Sequence, residues 1–307
     1  MIHTEESYPH THANLPAVKQ LLARLDWEVV CVFDACRWDA FEQLCAPAEP
    51  VASPGSHTPA WTVDLWCDSE YDWSDVTYIS ASPMPVHVRE LDGFPDARIE
   101  EHVGDYVAAY EREDLFSEYI QVVLPGRLTE YAATCEPPMV VHYVQPHAPF
   151  IAPEVGIKLS FNVFDDLALD VSPSSGPEDP VYRLWRDGHV STDLLRTAYR
   201  QNLGLVWRES EQLREQFDRV VTTADHGELL GPDSFGHPDE PADRLRVVPF
   251  HTSWDPPCLD PADVGAVPTH DWVYDSFGRS EERPRESDGE ERNADAVEKR
   301  LGDLGYS

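Results

Sequence analysis

The chain has 307 residues, 57 of them acidic and 23 basic, for a formal net charge of −34. With 41% apolar residues it can bury a sizeable core, in one large α/β domain or two small ones. So acidic a balance excludes nucleic acid as a partner, because a phosphate backbone requires a basic face.

Met1 to Ala17 is polar and has no basic segment followed by an apolar run, so a secretory signal is not expected. No apolar stretch approaches the ~18 residues of a transmembrane helix. Leu15–Leu25 carries apolar residues at helical spacing. Trp27–Phe33 is apolar nearly throughout, as a strand covered on both faces is, and it ends at Asp34. Arg37–Leu44 reads as a helix. Short strands are expected near Val51 and over Val76–Ser80, and a second central strand over Met139–Val144, ending in polar residues and Pro146. Ile157–Pro180 is loop-like around Ser172–Pro177. One long helix is predicted over Thr192–Phe217, a third central strand over Asp218–Thr223, and a further strand over Leu245–Phe250. Ser276–Asn293 reads as a charged linker, and Asp295–Leu304 as a short helix closed by Gly305.

Strands alternating with helices predict a three-layer α/β/α sandwich with a central, mostly parallel sheet. The expected division is a catalytic domain over residues 1–275 with a tail at 1–14, a linker at 276–293 and a C-terminal helix at 294–307. In such sheets functional residues collect at the carboxyl ends of the strands. Asp34, His147, Asp225 and His226 all fall there although they are far apart in sequence. One shared site is therefore expected.

The cysteines at 31, 36, 45, 67, 135 and 258 form no CxxC pair, and several lie in apolar runs. Reduced, mostly buried thiols suit a cytosol. The acidic residues are spread along most of the chain, and the only lysines are Lys19, Lys158 and Lys299. Their mutual repulsion is relieved by salt, whose Debye length is about 3 Å at 1 M. The composition resembles that of proteins from salt-accumulating halophiles, so a high-salt cytoplasm is the expected location.

Asp225-His226-Gly227-Glu228 follows a strand. Aspartate supplies a hard oxygen ligand and histidine a borderline nitrogen, a mixture suited to Zn, Mn or Fe. Gly227 is expected to let the backbone turn sharply beside the ion. Alone, this tetrapeptide is as consistent with a surface turn, and Asp34 alone is as consistent with a helix cap.

Six motifs in order change that balance. Asp34-Ala-Cys-Arg-Trp-Asp39 resembles the D-S-L-R-x-D opening of sulfatase-like members of the alkaline phosphatase superfamily. Ser56-His-Thr-Pro-Ala-Trp61 resembles their nucleophile segment. His142-Tyr-Val-Gln-Pro-His-Ala-Pro-Phe150 is similar to their H-x-x-x-P-H-x-P strand end. Thr222-Thr-Ala-Asp-His-Gly-Glu228 is similar to T-S-D-H-G-E. Gly236-His237 with Leu245–Pro249 resembles the closing G-H and V-P, and Leu301–Tyr306 resembles a C-terminal L-x-x-L-G-Y.

The resemblance implies an alkaline-phosphatase-like fold and one divalent metal ion (Mn, Zn, Mg or Ca). Asp34, Asp225, His226 and Thr58 would be its ligands. Thr58 would also be the nucleophile, with Ser56 as the alternative hydroxyl; Thr58 holds the family position. His147 would contact a non-bridging oxygen or the leaving group. Arg37 would orient a carboxylate, with Asp39 as its partner, or serve catalysis directly. His237 would sit near the metal or the phosphate. His142, on an apolar strand, reads as structural or as a support behind the ligands.

The expected substrate is a phosphate or sulfate ester of a small molecule, glycan or lipid headgroup. The alternatives are a sulfatase-like enzyme and an inactive anion- or glycan-binding member of the fold. Cys45-Ala-Pro-Ala-Glu49 lacks the arginine of the sulfatase motif, which favours phosphate. Ala35 and Tyr143 stand where further carboxylate ligands would be expected, so one metal rather than two is implied. Trp61, Trp66 and Trp73 form either a sugar-stacking wall or core.

Overall fold

A computed structural model describes residues 15–88, 98–117, 122–152, 180–230, 235–236 and 243–254. The expected loop at 157–180 apart from Pro180, the linker, the C-terminal helix, Cys258 and His237 lie outside the described residues.

The chain begins with α1 (Val18–Arg24), β1 (Val29–Phe33), α2 (Trp38–Leu44), β2 (Glu49–Ala52) and α3 (Thr58–Thr62). A π-helical turn (Val63–Cys67) leads to β3 (Trp73–Ser80) and α4 (Met84–His87). Then come β4 (Val103–Ala108), β5 (Phe116–Ser117), β6 (Val122–Val123), α5 (Pro125–Ala132) and β7 (Met139–Tyr143). The last part holds α6 (Pro180–Arg186), α7 (Thr192–Glu209), α8 (Glu211–Gln216), β8 (Val220–Thr223), β9 (Leu229–Leu230), β10 (Phe235–Gly236) and β11 (Val247–Thr252).

Seven strands form the central sheet in the order β2-β11-β8-β1-β7-β3-β4. The β8-β1-β7-β3-β4 run is parallel throughout, and β11 is antiparallel to both its neighbours. The three predicted central strands are therefore adjacent, and β1 is the middle one. β1 and β7 are buried at every residue, because both faces of the sheet are covered.

The alternation of a strand separates the two faces. Phe33 packs edge-on against Tyr143 and at a tilt against Phe41 of α2, and the Tyr143 hydroxyl is 2.8 Å from Thr129 Oγ1 of α5. His142, the neighbour of Tyr143, faces the other way, against Trp61 of α3. Three layers result, as the sequence predicts. Tyr143 thus lies on the face away from α3 and replaces no ligand there.

One expectation is corrected, and one open alternative is decided. The helix over Thr192–Phe217 is two helices with a break at Ser210, whose Oγ donates to Trp207 O (3.1 Å) and accepts from Arg214 Nη1 (2.8 Å). Local side-chain bonding of this kind competes with the helical ladder. Trp61, Trp66 and Trp73 are core: they are 0%, 1% and 5% exposed and pack on one another and on Tyr78. No sugar-stacking wall forms there.

Candidate metal and nucleophile site

Strand ends bring the site together. Asp34 follows β1, and its N–H donates to Tyr143 O (3.1 Å), extending the β1–β7 ladder by one bond. Ala35 then adopts φ 59°, the left-handed region that a side chain disfavours. This turn points the Ala35 N–H at Asp225 Oδ1 (3.1 Å). The Tyr199 hydroxyl of α7 locks it, donating to Ala35 O (2.8 Å) and accepting from Arg37 N (2.9 Å).

Asp225 follows β8 and is fully buried. Its Oδ1 accepts from two backbone amides, Ala35 and His226 (2.8 Å). Its Oδ2 is thereby left for the site. Thr58 Oγ1 donates to that oxygen at 2.7 Å, and His226 Nε2 is 3.3 Å from it. His226 Nε2 is also 3.4 Å from Asp34 Oδ1 and 3.4 Å from Thr58 Oγ1. Asp34, Asp225 and His226 each offer a ligand atom within 4.8 Å of the others, and all are buried. Four groups expected from the sequence thus converge on one point.

The site fits a divalent cation. Asp34 Oδ1 is buried without a hydrogen-bond partner, and a buried carboxylate oxygen left in that state is costly. His226 Nδ1 is 2.7 Å from Gly227 O, so it carries a proton and directs the Nε2 lone pair inward. Two carboxylates, one imidazole and one hydroxyl make a four-donor set suited to Zn or Mn. Calcium, which takes six to eight oxygens, fits less well. Without a metal, burial disfavours a charged His226, but Asp225, Asp34 and the Gly227 carbonyl outweigh it and raise its pKa to about 9.

Thr58 is 5% exposed and opens α3. Gly55 sets the position of that helix: a Cβ there would lie 2.3 Å from Trp61 N and 2.9 Å from Ala60 C, both backbone atoms that cannot give way. Ser53 Oγ donates to Asp225 O and accepts from Gly55 N (3.3 Å), joining this turn to the Asp225 segment. Ser56 is buried, and no bond joins it to Asp225 or His226 among those described. Thr58 rather than Ser56 faces Asp225 and His226.

Arg37 is fully buried and occupied. Its guanidinium forks onto Asp39 (2.8 and 2.7 Å) and donates to Glu228 O (3.2 Å). It therefore ties the helix after Asp34 to the segment after His226. His142 is fully buried, with Nδ1 2.7 Å from the Tyr78 hydroxyl and Nε2 3.8 Å from Asp225 Oδ2. Burial lowers its pKa to about 4, against the pull of Asp225, so it is neutral and stands behind Asp225.

His147 is half-buried on the turn after β7, where its N–H donates to Asp34 O (3.2 Å). Its ring packs edge-on against Tyr182, whose hydroxyl donates to Glu228 Oε2 (3.0 Å). Its backbone is held by Asn202 of α7, which is fully buried. Asn202 Oδ1 accepts from Ile151 N and Ala152 N, and its Nδ2 donates to the carbonyls of Pro146, His147 and Pro149. No residue pattern near Asn202 announces this role. Glu228 is also fully buried; burial raises its pKa to about 7, against the pull of His147 and His226.

Gly227 does not turn as expected. The positive-φ glycine among the described residues is Gly188, and a Cβ at Gly227 would meet Leu245 O at 3.5 Å, an ordinary contact.

No family model and no curated protein matches the chain. Among solved structures it is similar to the soluble domain of lipooligosaccharide phosphoethanolamine transferase A from Neisseria meningitidis. The identity is 12% over 72% of this chain and 74% of that one, with a TM-score of 0.46. It is similar to the C-terminal periplasmic domain of a phosphoethanolamine transferase from Campylobacter jejuni, at 13% identity, 73% and 78% coverage and TM-score 0.41. It is also similar to the phosphonate monoester hydrolase of Agrobacterium radiobacter, at 12% identity, 77% and 68% coverage and TM-score 0.43. At such scores the likeness carries no argument about chemistry, which rests on the residues themselves.

Proposed function

We propose that the chain is a metal-dependent hydrolase or transferase of phosphate esters that works through a covalent phospho-threonine at Thr58. One observation supports this most: the Thr58 hydroxyl is buried at the meeting point of Asp34, Asp225 and His226, 2.7 Å from Asp225 Oδ2. A free threonine hydroxyl is a poor nucleophile at neutral pH. A divalent cation held by Asp34, Asp225, His226 and Thr58 would lower the hydroxyl pKa and offset charge on the transferring group. In the first step the Thr58 Oγ1–P bond forms, the P–O bond to the departing alcohol breaks, and the two oxygens exchange one proton with solvent. Water, or an acceptor alcohol, then cleaves the Oγ1–P bond. His147, on the turn whose backbone contacts Asp34, would contact a non-bridging oxygen or the leaving group on this reading. Arg37 and His142 act as positioning residues, through Asp39 and Asp225.

The test is turnover of an aryl phosphate by protein loaded with manganese or zinc in high salt. Thr58→Ala and Asp225→Ala should abolish it, and a rapidly quenched reaction should yield phosphate on the peptide containing Thr58. A stable, metal-loaded protein with no turnover would support the binding-module reading instead. Faster turnover of the aryl sulfate would support the sulfatase-like one.

A further inference from the structure

Tyr78 and His142 stand on neighbouring parallel strands, β3 and β7, with Ser80 opposite His142. Side chains two residues apart share a face, so Tyr78 is the diagonal neighbour of His142. Both are fully buried, with Trp61 against His142 and Trp66 against Tyr78. Among the described residues the Tyr78 hydroxyl meets one hydrogen-bonding atom, His142 Nδ1, at 2.7 Å. A buried phenol proton without an acceptor is costly, so the hydroxyl donates and Nδ1 accepts. The ring then carries its one proton on Nε2. That Nε2 is buried without a hydrogen-bond partner, 3.8 Å from Asp225 Oδ2. A carboxylate oxygen attracts an N–H and repels a lone pair, so both ends of the ring select the same tautomer.

We infer that Tyr78 and His142 are a pair of positioning residues, in which the His142 Nε2–H becomes the hydrogen-bond donor to Asp225 Oδ2 once Thr58 has lost its hydroxyl proton. This rests on the reading of Thr58 as nucleophile. In the resting protein the Thr58 hydroxyl donates to Oδ2 at 2.7 Å. When Oγ1 bonds to phosphorus that proton is gone, and Oδ2 loses its donor. A movement of about 1 Å brings Nε2 to the length of an N–H···O⁻ bond. The proton stays on the ring throughout, and neither residue touches the substrate. Carboxylates that hold a cation are themselves held by hydrogen bonds of this kind. The pair keeps Asp225 in place through the phospho-threonine stage, so its loss acts on kcat rather than on KM.

The Thr58 donor can be removed without turnover. In ring-15N-labelled, metal-free wild type, His142 should carry its proton on Nε2 and none on Nδ1. Thr58→Val keeps the branched shape and removes the donor, so the His142 Nε2 proton should shift downfield and exchange more slowly with solvent. Tyr78→Phe removes one oxygen and keeps the ring packing. It should lower kcat on p-nitrophenyl phosphate about tenfold at nearly unchanged KM. A merely structural tyrosine would lower the thermal midpoint and leave kcat alone.

A proton on Nδ1 in the wild type, an Nε2 proton unmoved by Thr58→Val, or wild-type kcat in Tyr78→Phe overturns the inference and leaves the Thr58 reading standing. Metal-loaded wild type that neither turns over the aryl phosphate nor yields phosphate on the Thr58 peptide overturns both.

Discussion

Asp225 uses its two oxygens for different purposes. Backbone amides of Ala35 and His226 fix Oδ1, and this rotates Oδ2 toward Thr58 and His226. The first of those amides depends on a left-handed Ala35, a conformation costing roughly 1–2 kcal/mol for an L-residue. Ala35→Gly should relieve that strain at the cost of a freer unfolded chain. The expected net effect is between zero and about 1 kcal/mol of stabilisation. Urea denaturation measures it, and a loss beyond about 1 kcal/mol would show that the methyl group matters more than the turn.

His226 makes a second prediction. In metal-free protein its pKa is raised from 6.5 to about 9. The stabilisation from the protonated form is complete below pH 6.5 and is lost as pH rises through about 9. Protein kept in a chelator should lose thermal stability across that interval. Metal competes with the same proton, so affinity for added zinc or manganese should rise over the same interval. Titrations at several pH values would show a flat affinity if His226 were not a ligand.

At the scale of elements, two devices keep the site in shape. Gly55 lets α3 approach its preceding turn so closely that no side chain fits. Gly55→Ala should displace Thr58 and lower kcat by about a hundredfold, as misplacement of around 1 Å does. Metal binding through Asp34, Asp225 and His226 should persist, which calorimetry with zinc would reveal. Asn202 is the second device, because five backbone groups of the turn around His147 depend on its amide. Asn202→Ala leaves buried donors and acceptors unmatched and should cost roughly 3 kcal/mol or more. An unchanged denaturation midpoint would mean that water replaces the amide there.

For the whole molecule, charge is the dominant fact. A formal net charge of −34 favours expansion, and salt screens that repulsion. We propose a high-salt working environment. The expected outcome is a thermal midpoint and an activity that both rise steadily from low to multimolar potassium chloride. A protein equally stable in dilute buffer would count against it. Among the described residues, no helix is long and apolar enough to cross a membrane.

The sequence by itself determined the central strands and the residues that meet at the candidate site. Apolar runs ending at Asp34, before His147 and before Asp225 were legible because a strand buried on both faces must be apolar throughout. Asp34, Thr58, Asp225 and His226 were legible as a group because each stands at a position of the ordered motifs that the chain resembles. The stretch from 81 to 138 predicted no element. There β4 is an edge strand whose Gly104 and Asp105 are exposed, so it lacks the unbroken apolar run that marks β1 and β7. Only the tertiary structure decided that Thr58, not Ser56, meets the carboxylates, that the tryptophans are core, and that Arg37 is consumed by Asp39. It alone revealed the Asn202 bonds and the Ala35 turn. Those roles depend on which atoms meet across the sheet, and a linear spacing does not record such meetings.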